Sequence, residues 1–226
     1  MVKPRRSGVF LARPLSVAGW EGDTANGGGK LRFLAARRGA GSGEIVDLRP
    51  GDEAELIGPL GNCWLQAGLF ANAGMTSTVA LVGGGIGIAP LLLFARELSQ
   101  IQPSVPFDFY AGFRSGSFAM ESAKSASPRS LIVSSEDGSE GAKGRITEFF
   151  APGAYAAVFV CGPEPLIKAV SDSCAAAAVP CYASLERHMA CGVGACLGCT
   201  VMTSGGNRRC CADGPIFSAG EVCFDG

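Results

Sequence analysis

"VALVGGGIGIAPLL", residues 79–92, joins an apolar run to a proline through a turn that contains four glycines. The apolar run predicts a buried strand ending at Val82, and Pro90 suits a first helical turn, where a backbone N–H would have no partner. Glycines let backbone amides approach a ligand closely, and the N-terminus of a helix attracts negative charge. The stretch therefore predicts a strand, a turn and a helix. We expect the turn to bind a pyrophosphate through Gly84, Gly85 and Gly87.

The dinucleotide-binding fingerprint is incomplete in this turn, because Ile88 stands where the third glycine would be. A tight turn without a ligand is therefore the alternative. A second unit of the same design, "VFVCGPEPLIKAV" at residues 158–170, favours the ligand, because ligands of open α/β sheets collect beyond the carboxyl ends of the strands. The residues that follow this second strand are Cys161, Gly162 and Pro163. We expect Cys161 to contact a nicotinamide ring, and an ordinary buried thiol is the alternative.

Three regions of the chain differ in pattern. Residues 1–73 contain short apolar runs broken by Gly, Pro and charge, such as "GVFLARPLSV", "KLRFLAAR" and "DEAELIGPLG", which predicts a small antiparallel barrel. Residues 74–179 alternate apolar runs with helical stretches, which predicts a parallel sheet covered on both faces. Among these runs, "FDFYAGF" and "SLIVSS" are expected to be buried strands. Residues 180–226 show little periodicity and are rich in Gly and Cys, so they need a staple to fold. The fold class predicted is α/β plus β.

The segment "ERHMACGVGACLGCTV", residues 186–201, suggests what the staple is. Cys191, Cys196 and Cys199 are spaced as in plant-type [2Fe–2S] proteins, which also use a later cysteine. The glycines between them let backbone N–H groups surround the sulfides of a cluster. A zinc site is the alternative, although zinc sites more often use two separate C-x-x-C pairs. Spacing does not decide which later cysteine is the fourth ligand; the candidates are Cys210, Cys211 and Cys223.

Charge and hydropathy narrow the class of protein. The net charge is −1 and the 19 Lys and Arg residues are scattered, which argues against a nucleic-acid partner. We expect neither a signal peptide nor a membrane span, because no apolar run has the necessary length or flanks. A cytoplasmic location follows, and in a reducing compartment clustered cysteines are metal ligands rather than disulfides.

The motifs together resemble a known family. "ERHMACGVGACLGC" followed by "CADGPIF" resembles the iron–sulfur segment of the electron transfer subunit of class 1B dihydroorotate dehydrogenase. "ARPLSV", "RRGAGSGEI" and "GPLGN" resemble the flavin-binding region of that family, where "RRGAGSGEI" corresponds to a glycine-threonine turn. "GGGIGIAPLL", "SSEDGSEGAKGRIT" and "CGPEPLIKAV" resemble its nicotinamide domain. The motifs occur in the order of the family and cover nearly the whole chain.

The resemblance implies an FAD, a [2Fe–2S] cluster and NAD(H) as co-substrate. The implied cluster ligands are Cys191, Cys196, Cys199 and Cys211, with Cys210 as an extra thiol. The implied flavin contacts are Arg13, Pro14, Leu15, Ser16, Leu34, Ala35, Ala36, Gly41 and Ser42. Ser42 replaces the usual threonine and keeps its hydroxyl, and Ala36 replaces a common aromatic residue. Only twelve residues precede Arg13, so we expect the first strands of the barrel to be missing and FAD to bind less well.

The function implied by the resemblance is electron transfer in pyrimidine biosynthesis. The chain would be an oxidoreductase subunit that carries electrons, through [2Fe–2S] and FAD, between NAD⁺ and a catalytic subunit containing FMN. That partner oxidises dihydroorotate, so no catalytic acid or base is expected in this chain, and the assembly would be a hetero-oligomer, expected to be a heterotetramer. One alternative is a subunit of another flavin complex, of the ferredoxin:NADP reductase or hydrogenase type. The other is a zinc-stapled binding module with a decayed flavin site.

Overall fold

The computed structural model describes residues 1–23, 28–65, 77–101 and 104–224. The predicted boundary between residues 73 and 74 lies outside these residues. The strands are β1 (Val2–Pro4), β2 (Val17–Asp23), β3 (Gly28–Phe33), β4 (Ala54–Leu56), β5 (Val79–Gly84), β6 (Phe107–Phe113), β7 (Ser130–Ser135), β8 (Ala142–Lys143), β9 (Ala157–Cys161), β10 (Cys181–Ser184), β11 (Thr200–Thr203), β12 (Gly206–Arg209) and β13 (Ile216–Ser218). The α-helices are α1 (Ala40–Val46), α2 (Ile88–Gln100), α3 (Met120–Ser125) and α4 (Glu164–Ala176).

A seven-stranded sheet forms the centre of the molecule, in the order β13-β10-β9-β5-β6-β7-β8. All neighbouring pairs are parallel except β13, which runs antiparallel to β10. The parallel sheet is therefore confirmed. From β5 the chain adds β6 and β7 on one side, whereas β9 and β10 lie on the other side. Such a reversal of strand order opens a crevice at the carboxyl ends of the two strands involved, here β5 and β9.

The predicted strands "FDFYAGF" and "SLIVSS" coincide with β6 and β7 residue for residue. The first strand was predicted to end at Val82 and the following helix to begin at Pro90. Both limits were wrong by two residues, since β5 continues to Gly84 and α2 begins at Ile88. The ladder to β6 continues because Gly83 and Gly84 still pair with Ala111 and Gly112. The tight turn Gly85–Gly87 then leads directly into α2, so Pro90 remains within the first helical turn.

The two faces of the sheet are covered by different buried clusters. One cluster contains Phe94 of α2, Phe109 of β6 and Phe159 of β9, with Trp64 packed among them. The other contains side chains from α4 together with Cys199, Cys210 and Cys211. Because β10 and β13 also belong to the sheet, the C-terminal segment 180–226 shares its core with the α/β region. The division into three domains stays a prediction.

The N-terminal region forms two separate antiparallel ladders in the described residues, β1 with β4 and β2 with β3, rather than a closed barrel. In "GVFLARPLSV" only Val17 belongs to a strand, and Arg13 makes a single bridge to Val2. The turn expected in "RRGAGSGEI" is the short helix α1. The Ser42 hydroxyl supports its start, because it accepts hydrogen bonds from the Arg38 and Gly39 amides at 2.8 and 3.0 Å.

A polar cluster fixes the amino edge of the sheet, opposite the crevice. The buried Asp108 of β6 accepts hydrogen bonds from Arg129 (2.8 Å) and from the Tyr155 hydroxyl (2.8 Å). Burial alone would raise the pKa of Asp108, but the hydrogen bonds of Arg129 and Tyr155 and the charge of Arg129 outweigh it and lower that pKa. Arg129 also donates to Thr78, just before β5, at 3.1 Å. These bonds join the starts of β5, β6, β7 and β9.

None of the helices in the described part of the chain is long and apolar enough to cross a membrane.

Candidate cofactor sites

The carboxyl edge of the sheet places three of its strand ends side by side. Gly83 of β5 lies opposite Cys161 of β9, and Cys161 lies opposite Ser184 of β10. The two glycine-containing turns that were predicted to bind a dinucleotide therefore meet at the reversal of strand order. The sequence predicted the two turns separately, but their adjacency depends on strand order.

Two of the predicted glycines allow these turns to touch. A Cβ atom on Gly87 would lie 2.5 Å from the Cα atom of Gly162, and one on Gly84 would lie 3.0 Å from Cδ of Pro163 and closer still to Leu166. At Gly87 the neighbours are backbone atoms, so a larger residue would push the two turns apart, and glycine is required there. At Gly84 the closest neighbour is the tip of the Leu166 side chain, so glycine allows close packing of α4 against this turn.

Gly85 differs from the other two glycines. Its φ angle is +53°, and a Cβ atom placed on it would meet no atom within 4 Å. The left-handed conformation favours glycine, while the open space imposes no packing requirement. Of the three predicted pyrophosphate contacts, Gly85 is the one whose surroundings leave room for a ligand.

Cys161 ends β9 and is fully buried. Burial raises the pKa of its thiol to about 12, the charge of Glu186 adds to the rise, and a hydrogen bond with Ser184 opposes it. The thiol is consequently protonated at neutral pH. Contact between Cys161 and a nicotinamide ring stays a prediction, and Ser184, which pairs with Cys161, was not anticipated because no motif marks it.

The structure brings together two of the residues expected to contact a flavin. A Cβ atom on Gly41 would lie 2.5 Å from the Arg13 guanidinium, so the arginine side chain lies directly over this glycine of α1. Arg13 is held in place by its backbone, which exchanges two hydrogen bonds of 2.8 Å with Val2, and by Nη1, which donates to the Leu11 carbonyl at 2.8 Å. Arg13 and Gly41 therefore form one surface.

The remaining expected flavin residues lie at various depths. Leu34 packs against the buried cluster of the sheet, next to the α/β region. Ser16 is exposed, and Ser42 is turned toward the start of α1 by its hydrogen bonds. The residues that are half-buried are Pro14, Leu15, Ala35 and Ala36.

The cysteine loop, residues 191–199, is shaped by unusual backbone angles. Gly192 and Gly194 have φ angles of +73° and +80°, and Leu197, which is not a glycine, has +59°. These angles turn backbone N–H groups inward, toward sulfur. The Cys196 amide donates to Sγ of Cys191 at 3.4 Å, and the Gly194 amide donates to Sγ of Cys211 at 3.1 Å.

These amides change the acidity of the thiols. Hydrogen bonds from the backbone, led by the Cys196 amide, lower the pKa of Cys191 to about 6. The pKa of Cys211 is raised to about 11, first by burial and then by its hydrogen bond with Cys199. The loop amides therefore favour the thiolate of Cys191, which is the form in which a cysteine binds a metal, whereas Cys211 is held as a thiol.

Cys210 and Cys211 face different surroundings although they are adjacent. Sγ of Cys210 donates to the Leu185 carbonyl at 3.1 Å, inside the core. Cys211 instead accepts a hydrogen bond from the Gly194 amide of the loop and forms another with Cys199, and the charge of Cys191 contributes to its raised pKa. The side chain of Cys211 therefore faces the loop and that of Cys210 faces away from it.

The donor set of the loop can be compared with what a cluster requires. Within the described ranges, no group of three or more His, Cys, Asp and Glu side chains is arranged to hold a metal ion, and the thiols form two pairs, Cys191–Cys196 and Cys199–Cys211. A [2Fe–2S] cluster is held by four thiolates, with hydrogen bonds to its sulfur atoms. The loop supplies three thiols and inward-facing amides, and the turn at Cys211 supplies a fourth thiol, so these residues fit the cluster in kind and number. All ten cysteines are free.

Two polar contacts around the loop were not anticipated. Asn62, in "GPLGN", donates to the Ile216 carbonyl at 2.9 Å and accepts from the Ile216 amide at 3.0 Å. Arg209 forms an ion pair with Asp213. Opposite charges four residues apart indicate the second contact in the sequence, whereas nothing in the sequence indicates the first.

Comparison with a family model identifies the cysteine segment. Residues 186–223 match the iron-sulfur cluster binding domain of dihydroorotate dehydrogenase B. The match covers the cysteine loop and the turn that carries Cys210 and Cys211.

Comparison with curated proteins covers almost the whole chain. A protein of Clostridium perfringens named dihydroorotate dehydrogenase B (NAD(+)), electron transfer subunit, is 41% identical over 216 residues, which are 96% of this chain and 82% of the relative. A protein of the same name from Clostridium acetobutylicum is 39% identical, over 95% of this chain and 80% of the relative.

Comparison with solved structures adds a neighbour of similar fold. An NADH-dependent reduced ferredoxin-NADP oxidoreductase, described in a study of flavin-based electron bifurcation, superimposes with a TM-score of 0.80 and 27% sequence identity. The superposition covers 99% of this chain and 78% of that one.

Proposed function

We propose that this chain, which belongs to the family of dihydroorotate dehydrogenase B (NAD(+)) electron transfer subunits, carries electrons between a dihydroorotate-oxidising partner subunit and NAD⁺. It is an oxidoreductase subunit with a role in pyrimidine biosynthesis. The name shared by its relatives includes the word subunit, which supports a hetero-oligomer with a catalytic chain. We propose that the catalytic chain binds FMN. The assembly would be a heterotetramer located in the cytoplasm.

The observation that carries the proposal is the orientation of Cys211 toward the cysteine loop. Cys191, Cys196, Cys199 and Cys211 would hold a [2Fe–2S] cluster, which supplies one-electron transfer when bound. Backbone amides of the loop donate to the sulfur atoms of Cys191 and Cys211, and such hydrogen bonds stabilise negative charge on sulfur. The acidity of Cys191 lets this ligand lose its proton at neutral pH.

The other two cofactors, FAD and NAD(H), would bind at the surface around Arg13 and at the carboxyl edge of the sheet, respectively. An FAD would link hydride transfer, which moves two electrons, to transfer of electrons one at a time. It would lie against Arg13, Pro14, Leu15, Ser16, Leu34, Ala35, Ala36, Gly41 and Ser42. In this FAD site, the guanidinium of Arg13 would donate a hydrogen bond to the flavin. NAD(H) would place its pyrophosphate at Gly85, where space is open, with Gly84 and Gly87 shaping the turn. Its nicotinamide ring would lie by Cys161, Gly162 and Pro163.

A second function is favoured by the superposition on a ferredoxin-NADP oxidoreductase. In that case the same surfaces would serve a partner flavoprotein other than a dihydroorotate dehydrogenase. The two functions differ in the electron donor. Dihydroorotate, added with the purified partner subunit, reduces the chain in the first case but not in the second, in which a ferredoxin-type donor takes its place.

The test of the cluster uses the two adjacent cysteines. Cys211→Ser should abolish or alter the visible absorption and the EPR signal of the cluster, because a ligand is replaced. It should also open the segment after Cys181 to proteolysis, since binding free energy of a metal group becomes folding free energy.

Cys210→Ser is the matched control, because it changes the same atom one residue away, in a side chain that donates to Leu185. It should keep cluster absorption and iron content. Bleaching by Cys210→Ser together with an unchanged spectrum in Cys211→Ser would overturn the ligand set. A colourless wild-type protein that contains zinc would instead support a zinc-stapled module.

A further inference from the structure

Arg209 and Asp213 form a two-point ion pair beside the cysteine loop. Nε and Nη2 of Arg209 donate to the two carboxylate oxygens of Asp213 at 3.0 and 2.9 Å. Such fork-to-fork pairs hold both planes in a fixed orientation. The Arg209 amide also donates to Asp213 at 2.7 Å. The arginine side chain is therefore fixed relative to its own backbone.

The same two residues frame the turn that carries Cys211. The Arg209 carbonyl accepts hydrogen bonds from the Ala212 and Asp213 amides at 3.1 and 2.8 Å. Since this turn begins and ends at the ion pair, the position of Cys211 depends on it. The Cys211 amide points to Sγ of Cys199 at 3.4 Å, which links the turn to the loop.

The third nitrogen of the guanidinium faces the loop. Nη1 of Arg209 lies 3.5 Å from the Gly194 carbonyl oxygen, and a Cβ atom on Gly194 would lie 3.3 Å from Nη1. Gly194 is the residue whose amide donates to Sγ of Cys211. The cation thus lies beside the carbonyl of the same residue whose amide donates to Sγ of Cys211.

The remaining nitrogen of the Arg209 guanidinium lies on the side of the cysteine loop. The carboxylate engages Nε and Nη2, which leaves Nη1 as the nitrogen nearest to the loop. A cation in this position favours additional negative charge on the group that the loop holds.

We propose that Arg209 is a positioning residue of the cysteine loop, which orders the Cys211 turn through Asp213 and raises the reduction potential of the cluster bound there. The proposal rests on the proposed function, because it requires that the loop hold a [2Fe–2S] cluster. Reduction adds one electron to the cluster, and the positive guanidinium stabilises the added charge.

The experiment compares Arg209→Gln with Arg208→Gln in the cluster-loaded protein. Both variants remove one positive charge, but Arg208 is exposed, whereas the Arg209 guanidinium lies against Gly194 of the loop. The midpoint potential is measured by EPR-monitored redox titration. Arg209→Gln should make reduction about tenfold less favourable, a shift of about −59 mV for one electron. Arg208→Gln should shift the potential by less than a third of that.

Arg209→Lys separates charge from geometry. It keeps the cation but loses the two-point pair, so the potential should return most of the way to the wild-type value while hydrogen exchange of the Cys211 amide becomes faster. A merely structural role for Arg209 would change exchange in both variants and leave the potential unchanged.

The outcomes distinguish this inference from the proposed function. A wild-type protein without a [2Fe–2S] spectrum refutes both. A wild-type protein with the cluster, and equal midpoint potentials in Arg209→Gln and Arg208→Gln, refutes the role of Arg209 alone. If Arg209→Gln does not retain the cluster, the midpoint potential of Arg209→Lys is measured instead. Reduction of the cluster that is about tenfold less favourable in Arg209→Lys, although the positive charge is kept, contradicts the proposal.

Discussion

The parallel sheet and the cysteine loop share one buried cluster but are stabilised by different means. Phe94, Phe107, Phe109 and Phe159 are almost completely removed from solvent within the sheet region. In the loop, by contrast, Val193 and Leu197 are exposed, and the inward-facing groups are thiols and amides. Apolar burial therefore stabilises the sheet, whereas the loop depends on sulfur, hydrogen bonds and the turn that carries Cys211.

This difference shows what each region is able to tolerate. A sheet stabilised by close packing keeps its shape without a ligand, because each buried side chain has many neighbours. A loop with few apolar contacts is near the low end of local stability and becomes ordered with its ligand. The following substitutions test this contrast.

The largest effect is expected from Phe159→Ala, at the centre of the sheet. Phe159 packs edge to face against Trp64 and Phe94 and stacks on Tyr182. Truncation leaves a cavity and should lower the free energy of unfolding by about 3–5 kcal/mol, measured by urea denaturation. Phe149→Ala, at an exposed phenylalanine, is the control and should cost less than about 1 kcal/mol. Equal costs for both variants would contradict the importance of packing in the sheet.

A smaller and more local effect is expected from Asn62→Ala. The Asn62 side chain is paired on both sides with the Ile216 backbone, and its loss leaves those groups unpaired. The local cost should be about 1–3 kcal/mol, visible as faster hydrogen exchange in residues 210–217. Exchange in β5 and β6 should not change, because the contact lies at the start of β13, the edge strand of the sheet.

Asn207→Ala is the control for Asn62, since Asn207 is exposed in β12. It should alter exchange only at its own position. Faster exchange throughout the sheet in Asn62→Ala would show that the two regions open together, and would remove the contrast between them.

The smallest expected effect in free energy, and one that concerns ligand binding, is that of Gly85→Val. The new side chain would occupy the open space at the sheet edge and obstruct a pyrophosphate, so the NADH concentration for half-maximal reduction should rise by about tenfold or more, equivalent to about 1.4 kcal/mol. Stopped-flow reduction by NADH measures this value, and cluster content should not change.

Gly51→Val provides the matched control for Gly85. Gly51 also has a positive φ angle, +96°, and open space around it, so valine is strained at both positions. Because Gly51 lies in a turn before β4, NADH reduction should be unaffected there. A similar loss of NADH reduction in both variants would mean that backbone strain, rather than a blocked site, explains the result.

Much of the α/β region was predictable because its elements are local. "FDFYAGF" and "SLIVSS" are apolar runs with clear ends, and the structure confirms both as strands. The limits at Gly84 and Ile88 were not predictable, because ladder pairing with β6 carries the strand into the glycines. The N-terminal region was less predictable still: helix α1 begins within "RRGAGSGEI", at Ala40, and no periodic apolar pattern indicates it.

The sequence by itself determined the chemistry available to this protein: the Cys-x4-Cys-x2-Cys spacing, the two glycine turns and the family to which they point. Those features depend on residue types at short separations. Only the tertiary structure decided that Cys211 faces the loop while Cys210 faces Leu185, that Gly85 alone of the predicted pyrophosphate contacts has open space, and that Asn62 anchors the C-terminal segment. The reason is physical. Each of these outcomes depends on which distant strand or turn packs alongside, and that is set by the burial of the whole chain rather than by any local pattern.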